Sequence, residues 1–286
     1  MKRALLLATL FIGATAPALA ADLPRKAPPY IPPPAPILSW TGFYIGLNGG
    51  YSWGQSKRTL DFINLANGAT IVAGAGSNLG GNDLSGGVFG GQIGYNWQTA
   101  NWVWGLETDF QWSGQRGGRT FVCPATTGAC LPGLTAIPAA APGTTAVLDE
   151  RLQWFGTFRG RLGFTVTPST LLYATGGLAY GSLKSDLAIF SFTPAGLPIS
   201  AAATSSTTHA GWTIGGGIET MFGPNWSGKL EYLYMDLGSI TATGNITTAA
   251  GAGVGVNLNT RVTDNIFRVG INYRFSAGLD PVVARY

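Results

Sequence analysis

Asn265-Ile266-Phe267-Arg268-Val269-Gly270-Ile271-Asn272-Tyr273-Arg274-Phe275 places Phe267, Val269, Ile271, Tyr273 and Phe275 on one face and Arg268, Gly270, Asn272 and Arg274 on the other. A side-chain period of two belongs to a β-strand. An apolar face that ends in aromatic residues suits hydrocarbon bounded by a headgroup layer, so the stretch predicts a strand that crosses a membrane as part of a barrel.

The rest of the chain agrees with that reading. Met1-Lys2-Arg3, the apolar run from Ala4 to Ala16 and the small residues Ala18-Leu19-Ala20 form the three parts of an export signal, with cleavage expected after Ala20. Removing Lys2 and Arg3 leaves 15 basic against 13 acidic residues, a formal charge of +2 that says nothing about nucleic acid. Charged residues make up only 10% of the chain, against about 25% in an ordinary soluble domain, so a fully wetted surface would be badly undercharged. No later stretch has the long apolar run of a membrane helix. A chain that spans a bilayer without helices must close into a barrel, because only closure pairs every backbone N–H and C=O in lipid.

Residues 21–39 are expected to form a proline-rich periplasmic lead-in, 40–275 the barrel and 276–286 a C-terminal extension. Within the barrel, strand character appears at about 41–54, 85–98, 102–116, 149–167, 171–183, 208–222, 226–238 and 261–275. The connections alternate in length. Tight turns fall near Thr99-Ala100-Asn101, Pro168-Ser169-Thr170 and Pro224-Asn225, and long connections near 55–84, 117–148, 184–207 and 239–260. The fold class expected is therefore all-β: an eight-stranded antiparallel up-and-down transmembrane barrel with short periplasmic turns and long extracellular loops. The long connections are rich in Ala, Gly, Thr and Ser and are expected to be mobile.

Charge decides which face meets lipid. In the fourth segment Leu152, Trp154, Phe158, Leu162 and Phe164 share one parity, while Arg151, Gln153, Thr157, Arg159 and Arg161 share the other. An arginine facing lipid at the bilayer midplane costs roughly 2–4 kcal/mol, so this second set is expected to face the lumen. The same rule sends Glu107, Asp109, Glu219, Lys229, Glu231, Arg268 and Arg274 inward. The fifth segment, Leu171 to Leu183, has no register that parity alone can fix. Six cations and four anions thus share a narrow interior, where a plug of ion pairs is more consistent with eight strands than a wide channel. Trp53, Trp97, Trp102, Trp112 and Trp226 stand at segment ends and fit interfacial girdles.

Catalytic groups are scarce. His209 is the chain's one histidine, and its pairing with a neighbouring serine such as Ser206 is the sharpest catalytic candidate, as a rim site acting on lipid. Cys123 and Cys130, in an oxidising compartment, are expected to form a disulfide that staples one loop rather than a metal site. No cofactor or metal is expected.

Trp40-Thr41-Gly42-Phe43-Tyr44-Ile45-Gly46, Gly90-Gly91-Gln92-Ile93-Gly94-Tyr95-Asn96-Trp97, Gly160-Arg161-Leu162-Gly163-Phe164, Leu171-Leu172-Tyr173-Ala174-Thr175-Gly176-Gly177-Leu178-Ala179-Tyr180-Gly181 and Arg268 to Phe275 together resemble the small outer-membrane β-barrel proteins of alphaproteobacteria. These are the RopB-like porin-family group, more distantly similar to OmpA-like barrels. The resemblance implies a structural, non-enzymatic outer-membrane protein that contributes to envelope integrity and surface interaction, with a small diffusion porin as the alternative. It implies outer-membrane lipid and lipopolysaccharide, the barrel-assembly machinery and host surface molecules as partners, and no nucleic acid. Tyr273 and Phe275 are similar to the terminal aromatic signal that assembly reads, although here Ser276 to Tyr286 follow it.

Overall fold

The computed structural model describes residues 38–64, 70–71, 77–122, 145–192, 198–247 and 253–275. The expected export signal, nearly all of the proline-rich lead-in, the C-terminal extension and both Cys123 and Cys130 lie outside them. The described strands are β1 (Gly42–Asn64), β2 (Thr70–Ile71), β3 (Ser77–Thr99), β4 (Trp102–Val122), β5 (Thr145–Thr167), β6 (Thr170–Phe192), β7 (Pro198–Met221), β8 (Trp226–Thr247) and β9 (Gly253–Phe275).

β1 and β3 to β9 form an antiparallel ring in chain order, closed by β9 pairing back onto β1 from Phe43↔Phe275 to Asn64↔Gly255. β2 is a two-residue addition to the far end of β1. Closure leaves no strand edge at membrane level, which hydrocarbon demands. At one rim the connections are tight: Ala100 and Asn101 join β3 to β4, and Pro168 and Ser169 join β5 to β6. Ala100 takes a left-handed backbone with φ of 52°.

Each ring strand runs 21–24 residues, well beyond the segments read from alternation. β1, for example, continues past residue 54 to Asn64. The sequence-based boundaries stop early for a physical reason. Alternation of apolar with polar residues requires lipid on one side, and above the membrane that requirement lapses. Backbone pairing continues there without that pattern.

The outer wall between the rims carries exposed Leu47, Trp104, Phe158, Leu162, Leu178, Ile214 and Val269. Phe43 to Trp53 on β1 covers about 34 Å along the strand at roughly 3.4 Å per residue and, at a tilt near 40°, about 25 Å of height. That matches the apolar band of an outer-membrane barrel. Trp53, Trp102, Trp112 and Trp226 are exposed at its borders, and Trp97 stacks on Trp104 with ring centroids 4.8 Å apart. In β6, which parity left open, Leu171, Tyr173, Thr175 and Leu183 face inward and Leu172 and Leu178 face out.

Among several register shifts in the ladder, three lie near the upper aromatic border. β5 carries an extra residue, Gln153, between the pairs Leu152↔Leu183 and Trp154↔Ser182. β4 gains one over the same step, between Trp112 and Gln115. β8 has two residues opposite Val262, between Asp236 and Ser239. The extra residue on β5 reverses the parity of everything beyond it, whereas β4 keeps Gln111 and Gln115 inward on one parity. The assignment of Arg151 and Gln153 to the lumen and of Leu152 to lipid is therefore corrected: Arg151 and Gln153 are exposed, and Leu152 is buried inside at 1% exposure.

Candidate functional site

The barrel interior is filled in layers. At its centre, four cations and four carboxylates from β4, β5, β7, β8 and β9 meet, all but fully buried. Alternation puts Glu107 and Asp109 on adjacent inward positions of β4, Arg159 and Arg161 on those of β5, and Lys229 and Glu231 on those of β8. The pairings Glu107↔Arg159 and Glu231↔Arg268 then set opposite charges side by side across neighbouring strands.

Arg159 is the hub. Its guanidinium reaches Glu107, Asp109 Oδ2 at 2.9 Å and Glu231 Oε1 at 3.1 Å, while its Nε donates to Thr157 Oγ1 at 2.9 Å. Arg268 approaches from the other side, donating to Glu231 Oε2 at 2.6 Å and Asp109 Oδ2 at 2.8 Å. Lys229 Nζ sits 3.2 Å from both Glu107 oxygens. Arg161 donates to Glu219 Oε2 at 2.7 Å and to Tyr44 Oη at 3.1 Å, and lies over the Tyr173 ring at 4.0 Å. Tyr44 and Tyr173 donate in turn to Glu107 and Glu231. Ser227 and Asn272 both donate to Glu219 Oε1.

The formal charge of this layer is zero. Moving such ions out of water costs several kcal/mol each, and only dense mutual hydrogen bonding offsets that. Charge-assisted bonds of this kind leave little freedom for an ion to exchange partners with a passing solute.

Two apolar clusters flank the ions, the upper one sharing its height with a buried Gln115 that donates to Ser52 and Asp264. Toward the long-connection rim, Leu233↔Ile266 is the next inward pair beyond Glu231↔Arg268. Leu84, Val88, Leu152, Phe155, Leu183, Met235, Leu237 and Val262 pack with it into one buried cluster. Toward the tight-turn rim, Trp40 and Leu38 enter the barrel mouth and pack with Val103, Leu171, Tyr173 and Met221. Strand parity announced inward charge but not this grease: Leu152 beside its bulge reads as lipid-facing, and Leu233 and Ile266 share the charged parity without any charge to mark them.

Eight of the ten residues assigned to the lumen network come together: Glu107, Asp109, Arg159, Arg161, Glu219, Lys229, Glu231 and Arg268. The other two stand apart. Arg151 is outside the wall, for the reason given above. Arg274 lies at the tight-turn rim with no ion pair among the described residues, donating to the Pro224 carbonyl at 2.8 Å with Trp40 nearby. Tyr44, Tyr173, Thr157, Ser227 and Asn272 are partners that charge counting missed; their signal was inward parity combined with a hydroxyl or amide.

His209 and Ser206 are three residues apart on an unbroken stretch of β7, so their side chains leave opposite faces of the sheet. Ser206 Oγ instead lies 3.5 Å from Ser182 Oγ. Among the described residues no group of three or more His, Cys, Asp or Glu is arranged to hold a metal. At the end of β9, Phe275 contacts Phe43 at 5.7 Å and Tyr273 at 5.1 Å between ring centroids, on the lipid side of the closing seam.

Comparison with known proteins gives the chain its relatives. It is 37% identical over 279 residues to the 31 kDa outer-membrane immunogenic protein of Brucella melitensis, covering 96% of this chain and all of that protein. It is 30% identical over 207 residues to the 22 kDa outer membrane protein of Rhizobium leguminosarum bv. viciae, covering 71% and 67%. Among solved structures, OprG of Pseudomonas aeruginosa is 13% identical with a TM-score of 0.47, over 84% of this chain and all of that one. The outer membrane protease OmpT of Escherichia coli is 12% identical with a TM-score of 0.45, over 82% and 97%. Likenesses this loose decide nothing about the lumen or its chemistry. The family described as the outer membrane protein beta-barrel domain matches residues 5–275, and the chain belongs to it, as a bacterial outer-membrane protein.

Proposed function

We propose that this protein is a sealed, non-enzymatic structural barrel that contributes to envelope integrity and presents its long-connection rim for surface interaction. The observation that carries the reading is the filled interior: a buried, charge-balanced ion layer flanked by two apolar clusters, the upper one interleaved with buried Ser52, Gln115 and Asp264. A solute would have to break paired ions and displace packed side chains to pass. The opposite faces taken by His209 and Ser206 weigh against a rim hydrolase. The name of the Brucella relatives, immunogenic proteins, supports display at the surface. Outer-membrane lipid and lipopolysaccharide, host surface molecules, and an assembly machinery reading Tyr273 and Phe275 are the partners this reading takes.

Planar-bilayer recording tests it. The purified barrel is expected to give no steady single-channel steps at moderate voltage. Reproducible steps of one size from the wild-type protein would replace this reading with a small diffusion pore.

A further inference from the structure

The bulge at Gln153 turns Arg151 outward, into a row. Arg151 is directly opposite Arg116 on β4 and directly opposite Lys184 on β6. Arg116 and Arg151 are exposed, and the Lys184 side chain is 34% exposed. Three like charges therefore stand shoulder to shoulder on neighbouring strands of the outer wall. Like charges placed directly across a sheet are destabilising. Neither Arg116 nor Arg151 has a hydrogen bond or ion pair to another described residue, and Lys184 reaches only Asp186, at 3.6 Å.

The sheet has carboxylates at hand and does not use them to break the row. Asp149 and Asp186 form the next outward pair further from the membrane, again directly opposite each other. Asp186 also accepts from Thr204 at 2.8 Å. Charge is thus sorted by height, cations below and carboxylates above. Below the cations, on the same three strands, lie Trp112, Trp154 and Tyr180 of the upper aromatic border. The step from those rings to the row is three or four residues, roughly 10 Å of height at the usual rise and tilt, and long basic side chains can lean back toward the headgroups.

We propose that Arg116, Arg151 and Lys184 form a binding site for the phosphorylated headgroup of an outer-leaflet glycolipid. Two strand spacings make the row about 10 Å wide, which suits a headgroup with more than one phosphate better than a single phosphate ion. Arginine's planar fork matches phosphate oxygens with two parallel bonds, and the aromatic border beneath provides the surface on which acyl chains continue. The site rests on the lipid-contact part of the proposed function and is independent of whether the lumen conducts. Loss of bulge geometry would return Arg151 to the lumen and remove the middle of the row.

The test uses the full barrel folded in detergent, titrated with bisphosphorylated lipid A, dephosphorylated lipid A and inorganic phosphate, with occupancy read by native mass spectrometry. Each cation removed is expected to weaken bisphosphorylated lipid A by roughly five-fold, and the combined Arg116→Gln, Arg151→Gln, Lys184→Gln variant by roughly 100-fold. Dephosphorylated lipid A should bind that variant and the wild type alike. Lys57→Gln, on the opposite wall beside an Arg261 already held by Asp236, should change affinity less than two-fold. All three substitutions are on the outer wall, and heat-modified gel mobility checks that the barrel has formed. The proposal is overturned if the combined variant binds within two-fold of wild type, if Lys57→Gln weakens binding as much as Arg151→Gln, or if inorganic phosphate displaces the lipid at equal concentration. A conducting wild-type barrel with these affinities intact would remove the sealed-lumen reading and leave this one standing.

Discussion

Arg159 and Arg151 occupy the same strand with the same parity, yet the wall of the barrel runs between them. Below the bulge, Arg159 is wholly buried and bonded to three carboxylates; above it, Arg151 stands outside facing two other cations. One inserted residue separates these fates. The contrast shows that in a barrel the side of a residue is set by its count from the nearest bulge, and its role by the medium at that height.

The largest effect that could break this contrast is at Arg159. Arg159→Met leaves Glu107, Asp109 and Glu231 with one cation fewer in a dry layer, and removing one partner of a buried pair costs about 3–5 kcal/mol. Arg151→Gln, at an exposed site without an ion pair, is expected to change stability by less than about 0.5 kcal/mol. Urea unfolding of the barrel in lipid vesicles measures both. Equal costs at the two positions would mean that the bulge does not divide them.

Leu152 sharpens the same division with an uncharged probe. Inside the upper apolar layer, Leu152→Ala opens a cavity and is expected to cost about 2–5 kcal/mol. Leu162→Ala, on the lipid-facing part of the same strand, is expected to cost roughly half as much or less, because acyl chains fill the space left behind. A comparison of the two unfolding midpoints, at unchanged slope, decides between the lumen and lipid placements of Leu152. The placement of both apolar layers depends on that outcome.

What the sequence made legible follows from this physics. The lipid-facing belt was readable because hydrocarbon on one side and charge on the other force a strict period of two, as Phe267 to Phe275 show. The buried charges Glu107, Asp109, Arg159, Arg161, Lys229 and Glu231 were readable because no alternative side could hold them. Arg151 and Leu152 were misplaced because the insertion of Gln153 leaves no mark in composition. Trp40 in the barrel mouth was also silent, since a tryptophan beside a proline-rich stretch packs equally well against lipid. Strand ends such as Asn64 and Thr247 were hidden because backbone pairing continues where the sequence no longer alternates.

The inward charges also bear on how the chain reaches its membrane. If the lumen were filled with leucine alone, β5 would read as an apolar run from Trp154 through Val166, closer to a segment that stalls during export than the charged sequence is. Arg159 and Arg161 keep that segment polar enough to pass, and pairing with Glu107, Asp109 and Glu219 then makes them tolerable inside the closed barrel.

A smaller cost than at Arg159 or Leu152 is expected at the β8 bulge. Gly238 has φ of 73° where β8 carries its extra residues, its N–H donates to Asp236 Oδ1 at 2.9 Å, and the β7–β8 ladder begins its regular pairing at Trp212↔Asp236. A Cβ added there meets only the Ala210 carbonyl oxygen, at 3.6 Å, so space is not the obstacle. The left-handed backbone is, and Gly238→Ala is expected to cost about 1–2 kcal/mol, with Gly238→Asn recovering part of that because asparagine tolerates this conformation. If alanine and asparagine destabilise equally, packing rather than backbone conformation holds this bulge. If neither destabilises, the β8 bulge is free to shift, and the sharp division of inside from outside argued for Gln153 is a property of β5 alone.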